Sequence, residues 1–350
     1  MLVDTSFGIK IKNNLIYIDN ISVNGLFSSN FVLDTGSELT VLDDDFVSKL
    51  KLSTGKKNIS VADMEGNISF QKKILIDSLK IGEVLVCNLN GFIADLSSVG
   101  EKVDGIIGAN FFKDKIWLFD FPTKRIHLLL QIDTNDYKYQ IPLKIKKGLP
   151  YIDIEIANTV LKNVLIDIGN ANRLSLAIKD STLLKGKSDN DHYYTFLSNS
   201  VFNNKQEKVR IKESVFNSIH INKLRVDSCY AIFYGNVRAI GVPFLQESVI
   251  IIDYPNKKLY TNGLHQKNEL EFGCRFIITE QGKIIVSSIR ENSLAVKKGL
   301  LLGDELINVT NIELDSLKEM IRDESIYKKM DTETIIKREN NGIFIIIKEK

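Results

Sequence analysis

The sequence predicts a mainly β protein made of two similar lobes and a separate C-terminal domain. Three observations carry this expectation. Segments recur at one constant offset, the stretches between turn signals are rich in β-branched and aromatic residues, and the recurrence stops near residue 264. At 350 residues the chain is also too long for one ordinary domain.

FVLDTGS around Asp34 resembles NVLIDIGN around Asp167; both run apolar strand, Asp, one residue, Gly. GIIGANFF (105–112) resembles AIGVPFL (239–245), and FDFPTKRIHL (119–128) resembles IDYPNKKLYT (252–261). Asp34 to Asp167, Gly108 to Gly241 and Asp120 to Asp253 are each 133 residues apart. LIYIDNISVNG (15–25) and LPYIDIEIAN (149–158) add a fourth pair, slipped by one. Chance similarity does not hold register through such diverged sequence, so residues 1 to 264 read as two copies of one unit, 1–133 and 134–264.

Within the copies, LIYIDNISV, NISFQKKILI, KIWLFDF, YIDIEIA, ESVIIID and KKLYT read as strands. Turns are expected at EGN (65–67), NN (203–204) and YPNKK, and short helices after Asp45 and in GANFFKD. From 265 to 350 the pattern changes. LEFGCRFIITEQGKIIVSSI reads as two strands around Gln-Gly, and NSLAVKKGL as a helix capped by Asn292 or Ser293 and ended by Gly299. LLGDELINVTNIEL is a strand with a turn, LDSLKEMIRDES a helix, and TETIIKRENNGIFIIIKEK a hairpin around Asn-Asn-Gly.

An apolar share of 44% supports packed cores, and 26% charged residues is ordinary for a soluble protein. A net charge of +2 with the signs interspersed leaves no basic stripe for nucleic acid. No stretch reaches the roughly twenty apolar residues of a membrane span. The N-terminus, MLVDTSFGIKIKNN, lacks a basic leader and an apolar core. The chain is therefore cytoplasmic or has lost a signal, an extracytoplasmic place being slightly favoured. Cys87, Cys229 and Cys274 form no framework and are expected as buried free thiols, with one disulfide left open. The four histidines are scattered, so neither metal nor cofactor is expected. Asp43–Asp45 reads as a capped solvated loop without calcium-loop spacing, and Asp120 and Asp253 as structural strand ends. No phosphate loop and no GxSxG motif occurs.

Two Asp-x-Gly copies suit one chemistry. Carboxylates held about 3 Å apart share a proton, so one acts as base on a water while the other acts as acid on an amide. A repeat that delivers one aspartate per copy builds such a pair from Asp34 and Asp167. Gly36 and Gly169 let each loop turn tightly and bring backbone N–H groups to the carboxylate. The hydroxyl of Ser37 and the amide of Asn170 are expected to donate there too.

DTGS at Asp34, with LTVL after it and GIIG downstream, resembles the active-site pattern of aspartic proteases, and the pattern recurs as DIGN and AIG. The resemblance covers roughly residues 10 to 264 of the 350 and looks closer to bacterial retropepsin-like enzymes than to pepsin itself. It implies a bilobal double-β-barrel fold, catalytic Asp34 and Asp167, and a polypeptide substrate in the cleft between lobes. It also implies a flap hairpin, here ISVADMEGNISF with its tip at Asp63, Met64, Glu65, Gly66 and Asn67. Catalysis needs only the monomer, since both aspartates lie on one chain.

The C-terminal segment resembles a PDZ domain, an α+β, sandwich-like fold. Ala295, Gly299, Gly303 and Asp304 fall in register with that family's core, and LEFGCRF resembles its carboxylate-binding loop. The resemblance implies that Phe272, Gly273 and Cys274 hold the terminal carboxylate of a peptide or protein, which adds a strand to an open sheet edge.

One departure stands out. Ile168 and Asn170 occupy positions where the protease pattern has hydroxyl residues, beside Thr35 and Ser37 in the first copy. The family's threonine hydroxyl reaches the backbone of the opposite loop, and losing one such bond costs on the order of 1 kcal/mol. The expectation is an endopeptidase; the alternative is a weak or inactive pseudoprotease serving as a peptide-binding scaffold.

Overall fold

The computed structural model describes every residue except 1, 19, 29, 51, 53, 64–65, 100, 201–202, 267–271, 331–333, 340–341 and 348–350. Strands dominate and helices are short. The chain forms two compact units. The first comprises Met1–Leu96, Val103–Asn190 and Ser214–Lys267, and the second Ser97–Lys102, Asp191–Glu213 and Asn268–Lys350.

The repeat is visible in the sheets of the first unit. Ile116–Asp120 pairs antiparallel with Val249–Asp253, and Leu118 lies opposite Ile251, its own equivalent 133 positions on. Arg125–Gln131 flanks one of these strands and Lys258–Thr261 the other; Leu2–Gly8 and Tyr139–Pro142 close the six-stranded sheet. The strand order is thus the same read outward from the centre in either direction. Asp120 and Asp253 end their strands and accept from the N–H groups of Thr123 (3.1 Å) and Asn256 (2.9 Å).

Each copy also folds an inner sheet with a strand in front of its aspartate. Phe31–Leu33 runs parallel to Gly105–Ile107, which is antiparallel to Thr40–Asp43. In the second copy Thr159–Ile166 runs parallel to Ala239–Ile240, which is antiparallel to Leu174–Leu176. The ends of these strands nearest the aspartates are buried; Phe31, Leu33, Ile107, Leu174 and Ile240 expose nothing. Trp117 is likewise fully buried, its ring among Phe7, Phe111 and Phe112 at 5.3–6.3 Å and its Nε1–H donating to the Phe112 carbonyl at 2.8 Å.

The predicted short helices form at Asp44–Ser48, where the Asp43 carboxylate caps the Asp45 N–H, and at Ala109–Phe112. Two expectations need correction. Asn203 and Asn204 belong to the strand Asn203–Ile221, so they are not a turn. Cys87 is an exposed thiol, because it lies on an outward position of Val84–Ala94; Cys229 and Cys274 are buried, and all three are free.

The second unit has its own core, with Phe272, Phe276, Val286, Ala295, Leu306, Leu317 and Ile343 at its centre. Cys274–Ile278 and Ile284–Arg290 form a hairpin, and Ser293 caps the helix Leu294–Lys297 through the Val296 N–H. Glu305–Val309, the helices Leu314–Arg322 and Ile326–Lys329, and the hairpin Ile335–Glu339/Gly342–Ile346 complete it. Residues 340–341 at the expected hairpin turn lie outside the described residues. Within this unit Tyr194–Phe196 pairs with Ser288–Arg290, and Arg210 clasps Glu291 through two bonds of 2.6 and 2.9 Å. Arg322 does the same with Glu101 at 2.7 Å. Among the described residues no helix is long and apolar enough to cross a membrane.

Candidate active site

Each aspartate begins a loop directly after its apolar strand. The Asp34 N–H donates to the Ile107 carbonyl at 3.0 Å, and the Asp167 N–H to that of Ile240 at 2.9 Å. Both loops leave their strands at equivalent points, so the two carboxyl groups face each other. They lie within hydrogen-bonding distance and bond directly.

The glycines explain how the loops come so close. A Cβ on Gly36 would stand 2.6 Å from the Asp167 carboxyl carbon, and one on Gly169 would stand 2.3 Å from that of Asp34. Each glycine is therefore required by the opposite carboxylate as well as by its own turn. Behind the loops, Gly108 and Gly241 meet the same constraint, with backbone carbonyls of Leu39 and Asn172 at 2.4 and 2.1 Å from a notional Cβ.

Backbone donors hold the carboxylates. One Asp34 oxygen accepts from the N–H groups of Gly36 (2.7 Å) and Ser37 (3.1 Å). Asp167 accepts from the Gly169 N–H at 2.9 Å, with a weaker contribution from the Asn170 N–H. The side chains at these positions do something other than expected. The Ser37 hydroxyl donates to the Leu39 carbonyl at 2.8 Å, closing on its own loop. The Asn170 amide donates to Ser175 Oγ at 3.1 Å while its oxygen accepts from the Asn172 N–H at 3.0 Å, an Asx turn. Short polar side chains find local backbone partners before they reach the carboxylate.

Thr35 joins the two loops. Its buried hydroxyl donates to the Ile166 carbonyl at 2.7 Å and accepts from the Ile168 N–H at 3.1 Å. Ile168 returns no such bond; it is fully buried and packs into the main core cluster. The link between loops is thus one-sided in hydrogen bonds and is completed by apolar packing, with the carboxyls still in contact.

Burial pushes the Asp167 carboxyl well above the usual carboxylate range, and the neighbouring charge of Asp34 and their mutual bond push it the same way. Asp34 is also raised by burial, but the bonds it accepts from Asp167, Gly36 and Ser37 pull it back. Asp167 is only 6% exposed, whereas Asp34 keeps part of its surface. Asp167 therefore holds a proton more tightly than Asp34 does.

The hairpin Thr54–Ala62/Ile68–Ile81 carries the expected flap. Its turn is closed by Asp63, whose carboxylate accepts from the backbone and side-chain amides of Asn67, both at 2.9 Å. Gly66 sits at φ +90° against the second copy, where Asn236 Nδ2 would be 3.0 Å from a Cβ. Met64 and Glu65 lie outside the described residues.

Several contacts were not foreseen. The turn before Leu149–Ile156 presents Lys147, which pairs with Glu38 of the first loop at 2.9 Å. The equivalent turn before Leu15–Ile18 presents Asn14, which donates to the Ala171 carbonyl of the second loop at 3.4 Å. The slipped match between LIYID and LPYID marks both turns, and it was the available signal. Tyr151 stands near this group; burial and then the Glu38 and Asp167 charges push its phenol up.

In the second unit, Phe272 is buried and its carbonyl accepts from the Ala295 N–H at 3.0 Å. Gly273 is left-handed at φ +81° and its carbonyl accepts from the Arg290 N–H at 2.8 Å. Burial pushes the Cys274 thiol up, so it stays protonated and inert. Residues 267–271 before this loop lie outside the described residues.

Residues 20–111 match a family model described as aspartyl protease. The match covers the first copy from before Asp34 past the flap and Gly108, and ends before Asp167. No curated protein matches the chain. At that level the match supports a protease, and with it a polypeptide substrate.

Proposed function

We propose that the chain is an aspartic endopeptidase whose lobes are residues 1–133 and 134–264. The observation that carries this reading is the closeness of the Asp34 and Asp167 carboxyls, each packed against the other copy's glycine. Asp34 takes a proton from water as the water oxygen attacks the amide carbon, and Asp167 gives its proton to the carbonyl oxygen. The resulting diol collapses as the leaving nitrogen is protonated and the Asp34–Asp167 pair returns to one proton. Thr35, Gly36, Ser37, Ile168, Gly169 and Asn170 support the loops, and the flap at Asp63–Asn67 covers the extended substrate. No metal or cofactor takes part, and one chain supplies the site.

We infer further that residues 265–350 form a PDZ domain that takes a peptide or protein C-terminus at Phe272–Gly273–Cys274. Support comes from the left-handed Gly273 before a strand paired along one edge, with the Leu314–Arg322 helix beside it. The pseudoprotease reading has Ile168 in its favour, since the second loop returns no hydroxyl bond. A peptide mimic with a secondary hydroxyl at the scissile position separates the two. The enzyme reading expects the mimic to block cleavage of an unfolded protein, and Asp34→Ala or Asp167→Ala to abolish that cleavage. Binding of the mimic with no cleavage by the unmodified protein would leave the scaffold reading.

A further inference from the structure

The strand Cys274–Ile278 bonds to Ile284–Arg290 along one edge, with Cys274 opposite Ile289, Arg275 opposite Ser288, Phe276 opposite Val286 and Ile278 opposite Ile284. The Gly273 carbonyl accepts from the Arg290 N–H, and the Thr279 N–H donates to the Lys283 carbonyl, both at 2.8 Å. The odd-numbered residues thus face the partner strand. The register shift places its extra residue, Ser287, in that partner, so alternation holds along Cys274–Ile278. Cys274, Phe276 and Ile278 therefore turn their backbone groups to the other edge, where an added strand would pair.

That edge already has an occupant. The Phe276 N–H donates to Tyr327 Oη at 2.5 Å, and the Phe276 and Tyr327 rings stack with centroids 6.0 Å apart and planes 8° from parallel. Next to them Arg275 pairs with Glu324 at 3.0 Å. Glu324 is 6% exposed and adopts a left-handed φ of +62°, which a glutamate takes only when its surroundings hold it there. Two residue pairs, Phe276–Tyr327 and Arg275–Glu324, fix Glu324–Tyr327 against the edge.

We propose that Tyr327 is a built-in cap on the ligand edge, and that an extended peptide pairs with Cys274–Ile278 only after Glu324–Tyr327 moves aside. The inference rests on the peptide-binding reading above and adds its regulation. The exchange is chemically balanced: a peptide carbonyl replaces the phenol oxygen as acceptor for the Phe276 N–H, so no buried donor is stranded. The released phenol needs only water as its new partner.

The test uses the full chain, its Tyr327→Phe variant, which loses the acceptor but keeps the ring, and Glu324→Gln, which loosens the ion pair without touching the aromatic core. Thermal melts check folding. Hydrogen exchange resolved to single amides is expected to show Phe276 protected in the unmodified protein. In Tyr327→Phe it should exchange roughly tenfold faster, the loss of one hydrogen bond, while Arg275 and Ile277 keep their rates. A random heptapeptide library displayed with free C-termini is the binding probe; both variants should retain more of it than the unmodified protein does. Unchanged Phe276 exchange in Tyr327→Phe overturns the cap, as does measurable peptide retention that is equal in all three proteins. Faster exchange with no peptide retained by any of them upholds the cap and removes the peptide-binding reading on which the regulation rests.

Discussion

In the first loop Asp34 takes two backbone N–H groups onto one oxygen, and Thr35 sends its hydroxyl across to the other copy. In the second loop Asp167 is more deeply buried, has one close donor, and is followed by an isoleucine that returns nothing polar. The pattern Asp-x-Gly is the same, yet the two carboxyls acquire different proton affinities. The difference teaches that asymmetric surroundings can push a near-symmetric pair of carboxyls apart in proton affinity. It also shows that one crossing hydroxyl, with a packed isoleucine opposite, keeps the loops together.

The largest effect is expected where the loops touch. Gly36→Ala or Gly169→Ala places a methyl against the opposite carboxyl, and peptide cleavage should fall roughly a hundredfold or more while circular dichroism stays native. Equal loss in both variants would show that each loop depends on the other; loss in one alone would break the comparison.

Thr35→Val keeps the shape and removes both crossing bonds, stranding the Ile166 carbonyl and the Ile168 N–H. Denaturant titration should show a cost of about 2 kcal/mol. The matching trim in the other loop, Ile168→Val, should cost only about 1 kcal/mol, because it removes one buried methylene.

Asp167→Asn tests the proton assignment through stability. The folded pKa of Asp167 lies above its unfolded value of about 3.8, so folding prefers its protonated form. That stabilisation is complete below pH 3.8 and is lost as pH rises through the folded pKa. The neutral asparagine escapes this loss, so the variant should melt near the unmodified protein in acid and above it at neutral pH. A variant less stable at neutral pH would reverse the assignment.

The smallest effect is expected from Ile168→Thr, which gives the second loop the hydroxyl it lacks. Lost apolar burial and a gained bond offset each other, so stability should stay within about 1 kcal/mol. Cleavage at saturating peptide should hold or rise; a sharp fall would show that the packed isoleucine, and not the hydroxyl link, aligns the pair.

Much of this was legible in the sequence because duplication writes the same constraint twice. The offset of 133 located Asp34, Asp167, Gly108 and Gly241, and the central strands pair at that same offset. Side-chain partners were less legible. Ser37 and Asn170 could bond either to a carboxylate or to their own loops, and only the three-dimensional path of the loop decides. Lys147 meeting Glu38, and Tyr327 meeting Phe276, join residues far apart in the chain; the slipped repeat marks the Lys147 turn but not its partner, and nothing marks Tyr327. Cys87 misled because its half of the strand Val84–Ala94 lies largely at the surface, with Leu85 and Asn88 exposed beside it.

The most direct measurement is the appearance of new termini, read by mass spectrometry, when an unfolded protein such as reduced casein is incubated with three proteins across a range of pH: the unmodified chain, Asp34→Asn and Asp167→Asn. The unmodified chain is expected to cleave, failing in acid as Asp34 is protonated and in base as Asp167 ionises. Each substitution should lower it by roughly three orders of magnitude or more. Cleavage that survives both substitutions, or an unmodified chain that cuts nothing at any pH, would contradict it.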